Sequence, residues 1–509
     1  MNKAAPRRGE GPVPLPAGPL DTRLGLPPAP VPEAFLDALT AELGPAAVVV
    51  EGEVLDAAGR DWWPLAAVWA TRGLIPARPA AVLRPADAAG VAACVRLAGE
   101  HRVPLTPAAG RSGVCGGAVP VAGGMVVDLT GPGLAGVVDV DDVSLLARVR
   151  PGTFGDDLES TLANHGVTLG HWPQSMDIST VGGWLACRSA GQYSTRYGKI
   201  EDMVAGLSVV DGRGRALRTG GHAPRAATGP DLTALFVGSE GTLGIITEAT
   251  LRVRARPAGS GWAAYTFASF ADGLDAIRRV LRRGATPCVV RLYDDAEARR
   301  SFSVDAHLLL VLDEADPAVV DWTLALVEEE CRRTPGAAGS DRRLVGRWLE
   351  HRNDVSALGV VIGAGLVADT VEVAAPWAAL PGLYRAVVDG ISAVPGTLAA
   401  SGHCSHAYPD GGCLYFTFAG APGDDPAAKD GYYRAALGAA MSATLAAGGA
   451  ISHHHGVGLV RGEWMPAALG GEAFEVLGAL KSVLDPHGVL NPGKLGLPSP
   501  FLPAGWSWT

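Results

Sequence analysis

A glycine-rich loop between two apolar strands constrains the fold of this chain more than any other segment. The stretch PLTPAAGRSGVCGGAVPVAGGMVVDL, residues 104–129, places Gly110, Gly113, Gly116 and Gly117 within eight positions. Residues without a Cβ adopt positive φ at little steric cost and let backbone N–H groups approach an anion closely. The run 126–129 is typical of a buried strand. The loop therefore indicates a pyrophosphate cradle, although an ordinary glycine-rich turn has the same composition.

Length and charge exclude several classes of protein. A chain of 509 residues exceeds the size of one hydrophobic core, so two or three domains are expected. A hydrophobic content of 48% with 18% charged residues is typical of a globular protein. The net charge of −10 argues against a nucleic-acid surface, because such surfaces need basic clusters that displace counterions.

The cysteines and the chain's apolar runs predict a reduced, cytoplasmic protein. The seven cysteines are scattered and show no C-x-x-C spacing, which favours free thiols over disulfides or a zinc site. No secretory signal is visible near the first residue, and no run reaches the roughly 18 apolar residues that span a bilayer.

The order of strands and helices predicts five segments. They are a flexible or wrapped Pro/Gly-rich tail (1–30), a helical segment (31–76), an alternating region around the glycine loop (77–257), an α+β layer (258–430) and a C-terminal portion that opens with an Ala-rich helix (431–509). In the fourth segment we predict the order β-α-β-β, with strands at 262–267, 289–293 and 308–313.

Three further motifs follow the glycine loop along the chain. Ser179 and Thr180 precede Gly182-Gly183 and either bind phosphate oxygens or cap a helix at 184–189. The stretch 197–202 reads YGKIED, and the stretch 238–248, GSEGTLGIITE, joins a glycine-rich turn to a β run. Its backbone could pair with the edge of a planar heterocycle.

Histidines and one tyrosine are the candidate reactive groups. His453, His454 and His455 are consecutive and could transfer protons, bind a metal or be solvated. A single metal bound by all three is geometrically awkward, because consecutive side chains point in different directions. His403 and His406 could be ligands three residues apart, but a substrate-pocket wall is the favoured interpretation. Tyr415 is either a pocket residue or an ordinary half-buried strand tyrosine.

A second dinucleotide motif is discounted. Residues 360–368, VVIGAGLVA, match a strand followed by G-x-G-x-x-A. That fingerprint requires a helix next, whereas TVEV and Pro376 indicate extended chain.

Taken in order, the motifs resemble the FAD-binding domain of the vanillyl-alcohol oxidase superfamily. The resemblance covers roughly 77–255 together with the ending 484–494, which contains Asn491-Pro492-Gly493-Lys494 and is similar to the FAD-linked oxidase branch. It implies an α+β protein with a two-subdomain PCMH-type FAD-binding domain and a cap domain that contains an antiparallel sheet. The relatives' covalent flavin histidine is missing from the glycine loop, so noncovalent FAD is expected. A thioether through Cys115 is the alternative.

The resemblance also implies which residues contact FAD. Pyrophosphate contacts are expected from the first loop, ribityl and phosphate contacts from the second motif, and ring or adenine contacts from the fourth. These residues are Ala108, Ala109, Gly110, Arg111, Ser112, Gly113, Cys115, Gly116 and Gly117; Ser179, Thr180 and Gly183; and Glu240, Gly241, Gly244, Ile245 and Ile246.

Within this superfamily the histidine run, Gly-His-Trp-Pro and Ser-Thr-Val-Gly-Gly-Trp look most like the alkylglycerone-phosphate synthases. Those enzymes exchange the acyl chain of acyl-dihydroxyacetone phosphate for a fatty alcohol without net oxidation. The resemblance implies Tyr415 as the base, His453–His455 as proton carriers, His171 near the flavin and Arg291 on the substrate phosphate. His403 replaces an arginine of those enzymes, which puts the phosphorylated substrate in doubt.

Two other functions stay open at this point. The chain could be an FAD-dependent dehydrogenase or oxidase of a 2-hydroxy acid, with a histidine of the run taking the hydroxyl proton. It could also be an inactive flavin-binding scaffold, although so many titratable groups argue against that. We expect a small-molecule or lipid substrate, peripheral membrane contact if the substrate is fatty, no bound metal and a homodimer.

Overall fold

The computed structural model describes residues 8–221 and 223–508. Helices and strands are mixed along the chain, and three sheets organise the molecule. The α+β class, with a large antiparallel sheet in the second half, is confirmed. The division into domains at residues 76, 257 and 430 stays a prediction.

The glycine loop joins two strands of a small sheet. The order across this sheet is Val48–Val49, Ala81–Leu83, Met125–Asp128 and Leu105–Ala108. The last three strands are parallel, and helix Ala88–His101 makes the crossover between Ala81–Leu83 and Leu105–Ala108. Asp87 caps that helix by accepting a hydrogen bond of 2.9 Å from the Gly90 N–H. The loop thus begins at the carboxyl end of one buried strand and returns to its neighbour.

A five-stranded antiparallel sheet contains the fourth motif. Its order is Ala216–Gly220, Val204–Asp211, Gly244–Arg252, Leu146–Val149 and Val137–Asp141. Helices Gly155–Asn164 and Val181–Cys187 bury apolar residues in the core beside this sheet. The second helix begins three residues earlier than predicted, because Thr180 caps it through the Gly183 N–H.

A seven-stranded antiparallel sheet dominates the second half of the chain. Its order is Ala338–Gly339, Gly259–Phe267, His307–Ala315, Val289–Tyr293, Thr397–Ala407, Gly411–Gly420 and Val367–Pro376. Helices Phe270–Arg282, Leu380–Ser392 and Pro426–Ala446 bury their apolar faces in one core against it.

The predicted β-α-β-β order was wrong at one position. A helix, Asp295–Phe302, separates strands Val289–Tyr293 and His307–Ala315. Asp294 caps it by accepting a 2.8 Å hydrogen bond from the Glu297 N–H. The helix is strongly polar and buries few apolar side chains, so its sequence lacks the periodic apolar face that would have predicted it.

The discounted dinucleotide fingerprint has the reverse element order. Helix Ser356–Gly363 precedes the turn and strand Val367–Pro376 follows it. A phosphate-binding turn of that kind instead needs a strand first and a helix second.

Short helices and turns complete the fold. The remaining α-helices are Glu33–Leu43, Gly52–Ala58, Pro64–Ala70, Ser194–Tyr197, Ile200–Met203, Leu232–Phe236, Pro317–Arg332, Arg343–His351, Met465–Leu469 and Gly471–Leu484. Two-stranded pairs join Asp21–Thr22 to Leu74–Ile75 and Val167–Thr168 to Arg254–Ala255. Within the described ranges no helix combines the length and apolarity needed to cross a membrane.

The described part of the predicted tail lies against the rest of the molecule. The Arg8 guanidinium donates to Asp156 at 2.6 Å and to Asp157 at 2.8 Å. Residues 1–7 of that segment lie outside the described residues.

Candidate active site

One cavity of about 830 Å³ is lined by residues from all three sheets and their loops. The first, second and fourth motifs contribute to its wall, together with Arg291, His403, Tyr415, His454 and His455. Predicted positions that are more than 340 residues apart therefore meet around one space.

The glycine loop follows the cavity wall from Ala108 to Gly113. A Cβ on Gly110 would lie 2.3 Å from the Ile178 carbonyl oxygen, so this position requires glycine. A Cβ on Gly113 would meet only Asp61, at 3.8 Å, because this residue borders the cavity. Arg111 has a φ of 53°, and its Nε is buried without a hydrogen-bond partner in the described structure.

Cys115 and Gly116 lie behind this wall. The Cys115 carbonyl accepts hydrogen bonds from Leu459 and Val460 N–H groups, and its thiol is buried outside the cavity lining. Burial raises the pKa of this thiol well above its usual value. Such a thiol is a poor nucleophile, which argues against a thioether link. Gly117 returns to the wall.

The second motif borders the cavity and also caps a helix. Ser179 Oγ accepts a 2.7 Å hydrogen bond from the Trp184 indole, and Thr180 is the helix cap described above. Both residues and Gly183 line the cavity. The two interpretations of this motif are therefore compatible.

Glu240 of the fourth motif fastens the C-terminal segment to the wall. Its carboxylate accepts hydrogen bonds from the N–H groups of Val457 (2.6 Å) and Gly458 (2.8 Å). Burial raises its pKa to about 7. Asn491 Nδ2 donates to the carbonyls of Glu240 at 2.6 Å and Gly117 at 3.0 Å. Gly241, Gly244, Ile245 and Ile246 also line the cavity.

His171 supports the wall from behind. Its side chain is fully buried, lies 2.8 Å from Ser189 Oγ through Nε2, and packs on Trp184 with ring centroids 4.7 Å apart. Burial lowers its pKa to about 3, so the imidazole is neutral. Ser189 and Trp184, but not His171, line the cavity.

Four residues form a row across the seven-stranded sheet. Glu372 pairs with Tyr415, Tyr415 with His403, and His403 with Tyr293 in the strand register. Directly opposed residues project from the same face of an antiparallel sheet. The register therefore assembles these polar side chains beside one another under the cavity.

Tyr415 is surrounded by imidazoles. Its ring stacks on His403 at 5.1 Å and on His454 at 6.0 Å, and meets His455 edge-on at 5.5 Å between centroids. Its hydroxyl donates to Thr370 Oγ1 at 3.0 Å. Burial raises its pKa, so the phenol holds its proton at neutral pH.

Glu372 organises the histidine run, and the sequence did not reveal it. One carboxylate oxygen accepts the backbone N–H groups of His453, His454 and His455 at 3.2, 2.9 and 2.6 Å. The other oxygen pairs with the buried guanidinium of Arg461. Burial lowers the pKa values of all three histidines, which are therefore neutral.

Arg291 is held in place by a hydrogen-bonded chain. Its Nε donates to the Tyr293 hydroxyl at 3.0 Å, and its Nη2 donates to Nε2 of His403 at 2.5 Å. Since Nε2 of His403 accepts, its Nδ1–H must donate to Glu297, 2.7 Å away. His403 therefore positions Arg291 and has no nitrogen left for a substrate anion.

The sequence also failed to reveal three other arginines of the cavity wall, Arg300, Arg347 and Arg352. Arg352 packs over Tyr193 with 5.0 Å from its guanidinium carbon to the ring centroid. Arg300 lies on helix Asp295–Phe302, Arg347 lies on helix Arg343–His351, and Arg352 directly follows that second helix. The three arginines therefore share no local sequence motif.

Known protein families match segments in both halves of the chain. Residues 79–220 match the family of FAD binding domains, and residues 256–495 match the C-terminal domain of FAD linked oxidases. Alkyldihydroxyacetonephosphate synthase of Trypanosoma brucei brucei is 30% identical over 479 residues, which cover 87% of this chain and 76% of that protein. The chain belongs to the FAD-linked oxidases.

A second relative and a solved structure are also similar to this chain. Glycolate oxidase subunit GlcD of Bacillus subtilis (strain 168) is 27% identical over 431 residues, which cover 82% of this chain and 89% of that protein. A solved structure of alkyldihydroxyacetonephosphate synthase superposes with a TM-score of 0.73 at 25% identity, covering 94% of this chain and 90% of that chain.

FAD is the cofactor of this protein, and the cavity fits that group. The volume is within the range of about 300–1,000 Å³ that is usual for ligand sites. Gly113 and Gly117 leave space where side chains would project, and the unpartnered Arg111 Nε provides positive charge beside the loop. Noncovalent attachment stays a prediction.

Proposed function

We propose that this FAD-linked oxidase exchanges the acyl chain of acyl-dihydroxyacetone phosphate for a fatty alcohol. The carbon–oxygen bond to the fatty acid breaks, a new carbon–oxygen bond to the alcohol forms, and no electrons are gained or lost overall. The observation that carries the proposal is one cavity lined by the glycine loop, by Tyr415 with two neutral histidines, by arginines and by an apolar helix.

The motifs supply the FAD-binding residues of this proposal. The loop from Ala108 to Gly113, with Gly117 and the Arg111 cation, would hold the pyrophosphate. Ser179, Thr180, Gly183 and the segment 240–246 would hold the remainder. FAD, when bound, supplies an electrophilic ring nitrogen that can bond to a substrate carbon or accept a hydride.

Tyr415 is the group that we assign to the substrate C–H bond. Because the phenol of Tyr415 is protonated at neutral pH, it can accept a proton from the substrate only when its own proton moves to another group. His454 and His455 are the neutral imidazoles that border both Tyr415 and the cavity, and each can accept a proton. The same groups return the proton after the alcohol has added.

The arginines support a phosphorylated substrate despite the histidine at position 403. Arg291 is pre-oriented by Tyr293 and His403, so little conformational freedom is lost when it binds an anion. Arg347 and Arg352 add positive charge to the same wall, where Arg300 is paired with Glu297. We infer that these arginines compensate for the arginine that His403 replaces.

The helix Ser356–Gly363 supports a fatty chain. Val355, Ala357, Leu358 and Val361 at this helix line the cavity, and Val360 on the same helix is 54% exposed. An apolar helix at a cavity wall can receive an alkyl chain and can also lie on a membrane surface. We propose peripheral membrane contact through this helix.

The test supplies the FAD-loaded protein with acyl-dihydroxyacetone phosphate and a fatty alcohol, without an electron acceptor. The proposal expects an ether product by mass spectrometry and one free fatty acid per turnover. Absence of both products, while FAD stays bound, would overturn it.

A second candidate is oxidation of a 2-hydroxy acid, favoured by the similarity to a glycolate oxidase subunit and by Arg291 beside neutral imidazoles. Arg291 would bind the carboxylate, and a histidine would take the hydroxyl proton. Bleaching of the flavin band near about 450 nm by a 2-hydroxy acid, reversed by an acceptor, would establish this reaction instead.

A further inference from the structure

Three histidines from two distant parts of the chain converge beside the cavity. His406 lies on strand Thr397–Ala407, whereas His453 and His454 follow the helix Pro426–Ala446. One ring nitrogen from each lies within 4.8 Å of the other two. We propose that His406, His453 and His454 form a binding site for a divalent transition metal, with Zn²⁺ as the best fit.

The outer nitrogens of two of these rings are already held by hydroxyl groups. His406 Nδ1 lies 2.8 Å from Ser194 Oγ, and His453 Nε2 lies 3.0 Å from the Tyr408 hydroxyl. The two hydroxyls are themselves hydrogen-bonded at 2.9 Å. Metal-binding histidines characteristically donate their other N–H to a fixed acceptor, which sets the tautomer and the ring orientation.

Among the proton assignments that these contacts allow, one suits a metal site. Tyr408 accepts from His453 Nε2–H and donates to Ser194, whose oxygen also accepts from His406 Nδ1–H. The inner nitrogens, Nε2 of His406 and Nδ1 of His453, then carry lone pairs. Lone pairs on the inner side are what a metal ion requires.

The third ligand faces the second at short range. His453 Nδ1 and His454 Nδ1 are 3.0 Å apart, so a proton of His454 lies between them in the metal-free protein. Tetrahedral zinc with bonds of about 2.0–2.1 Å would place two nitrogens about 3.3 Å apart. For this pair of nitrogens, replacing the proton with an ion therefore needs a shift of only a few tenths of an ångström, and His406 must close in on the same point from within 4.8 Å.

Burial and charge favour a metal that prefers nitrogen. His406 and His453 are 4% and 8% exposed, which excludes bulk water from two of the ligands. The nearest charges are already paired, Lys199 with Glu201 and Arg461 with Glu372. No carboxylate belongs to the group, so oxygen-preferring Mg²⁺ and Ca²⁺ fit poorly and Zn²⁺ fits well.

An ion at this site would be accessible from the cavity. His406 and His454 line the cavity, so a water or a substrate oxygen can reach a fourth coordination position. His455 is not part of the group and stays beside Tyr415 as a neutral imidazole. With zinc bound, His454 would no longer accept a proton, and His455 alone would serve Tyr415 in the proposed ether synthesis. The zinc measurement itself does not require that reaction.

The experiment dialyses the FAD-loaded protein against zinc chloride and measures bound zinc by mass spectrometry after gel filtration. We expect one zinc per chain in the wild type and in His351→Ala, a control that removes an exposed cavity histidine. His406→Ala and His454→Ala should each lose the retained zinc, and Ser194→Ala should weaken binding by roughly 10- to 100-fold.

FAD content reports whether each variant is folded. X-ray absorption of the wild type should show a zinc shell of nitrogen and oxygen ligands at about 2.0–2.1 Å, which tests the site even if His406→Ala does not fold. A wild type that retains no zinc, or histidine variants that retain it fully, would overturn the site. Ether synthesis by a zinc-free protein would leave the proposed function intact.

Discussion

The carboxylate of Glu372 is fully buried, pairs with Arg461 and accepts the backbone N–H groups of three consecutive histidines. One anion thus compensates a buried cation and fixes the path of the chain that presents the imidazoles to Tyr415. Backbone N–H groups that converge on a single oxygen leave this segment little freedom to change conformation.

Replacement of Glu372 by glutamine should destabilise the protein strongly. The change leaves the Arg461 cation buried without its partner, which costs about 3–5 kcal/mol. Urea unfolding of the FAD-loaded protein measures the loss. Glu248→Gln, on strand Gly244–Arg252, removes only a partly exposed pair with Arg148 and should stay within about 0.5 kcal/mol. A loss below about 1 kcal/mol for Glu372→Gln would contradict the structural role.

The contribution of Glu372 should also depend on pH. Although burial opposes ionisation, the Arg461 cation and the hydrogen bond from the His455 backbone N–H hold the pKa of this carboxyl far below its ordinary value of 4.5. A depressed folded-state pKa gives stability that is complete above pH 4.5 and is lost as the pH falls toward the folded value. The difference in unfolding free energy between wild type and Glu372→Gln should therefore shrink below pH 4.5. A difference that stays constant on acidification would disprove this linkage.

Tyr415→Phe should abolish turnover and leave the fold intact. The substitution removes one hydroxyl and its hydrogen bond to Thr370, worth about 1 kcal/mol, but also the proposed proton-transfer group. We expect turnover to fall at least about 100-fold with FAD still bound. Tyr432→Phe, which removes a comparable bond to Thr397 elsewhere, should keep full activity. Equal activity of the two variants would remove Tyr415 from the mechanism.

Arg291→Ala should weaken substrate binding more than it slows the bound complex. A hydrogen bond to a charged group contributes about 1.5–3 kcal/mol, so KM should rise roughly 10- to 100-fold. Steady-state kinetics with a phosphorylated substrate separate KM from kcat. Arg343→Ala serves as the control, because that side chain is 87% exposed. An unchanged KM would show that Arg291 does not bind the anion.

Gly113→Ala should lower FAD affinity while the apoprotein stays folded. Its new Cβ would face the cavity and meet the protein only at Asp61, so the clash falls on the cofactor. We expect the Kd of FAD to rise at least about tenfold by fluorescence titration. Gly363→Ala adds a Cβ in open space and should bind FAD normally. Normal affinity in Gly113→Ala would mean that the loop does not contact FAD closely.

Local chemical signals account for what the sequence predicted. Neighbouring residues determine the glycine loop and the strands beside it, and their preferences are visible in the sequence. The same holds for the two helices that Asp87 and Ser269 cap. The polar helix Asp295–Phe302 was not predicted, because a helix that buries few apolar side chains has no periodic apolar pattern in its sequence.

Long-range register accounts for what the sequence did not reveal. Glu372 lies 89 residues from Arg461 and 43 from Tyr415, and Glu297 lies 106 residues from His403. Strand pairing brings Glu372, Tyr415 and His403 into one row. Packing of segments outside the sheet then adds Arg461 and Glu297. A buried charged residue produces no periodic sequence pattern that would identify its partner. The contacts of Glu372 with the histidine run and the hydrogen-bonded chain Arg291–His403–Glu297 could therefore not be predicted.

The histidine segment is fastened at two places. Glu372 of the seven-stranded sheet holds residues 453–455, and Glu240, which precedes a strand of the five-stranded sheet, holds residues 457–458. The two halves of the molecule therefore cannot separate here without breaking the two hydrogen bonds to Glu240 or the three to Glu372. This double attachment fixes the spacing between the histidines and the glycine-loop side of the cavity. For the fatty substrate that we propose, discrimination by chain length is then expected away from these histidines, at the apolar helix Ser356–Gly363.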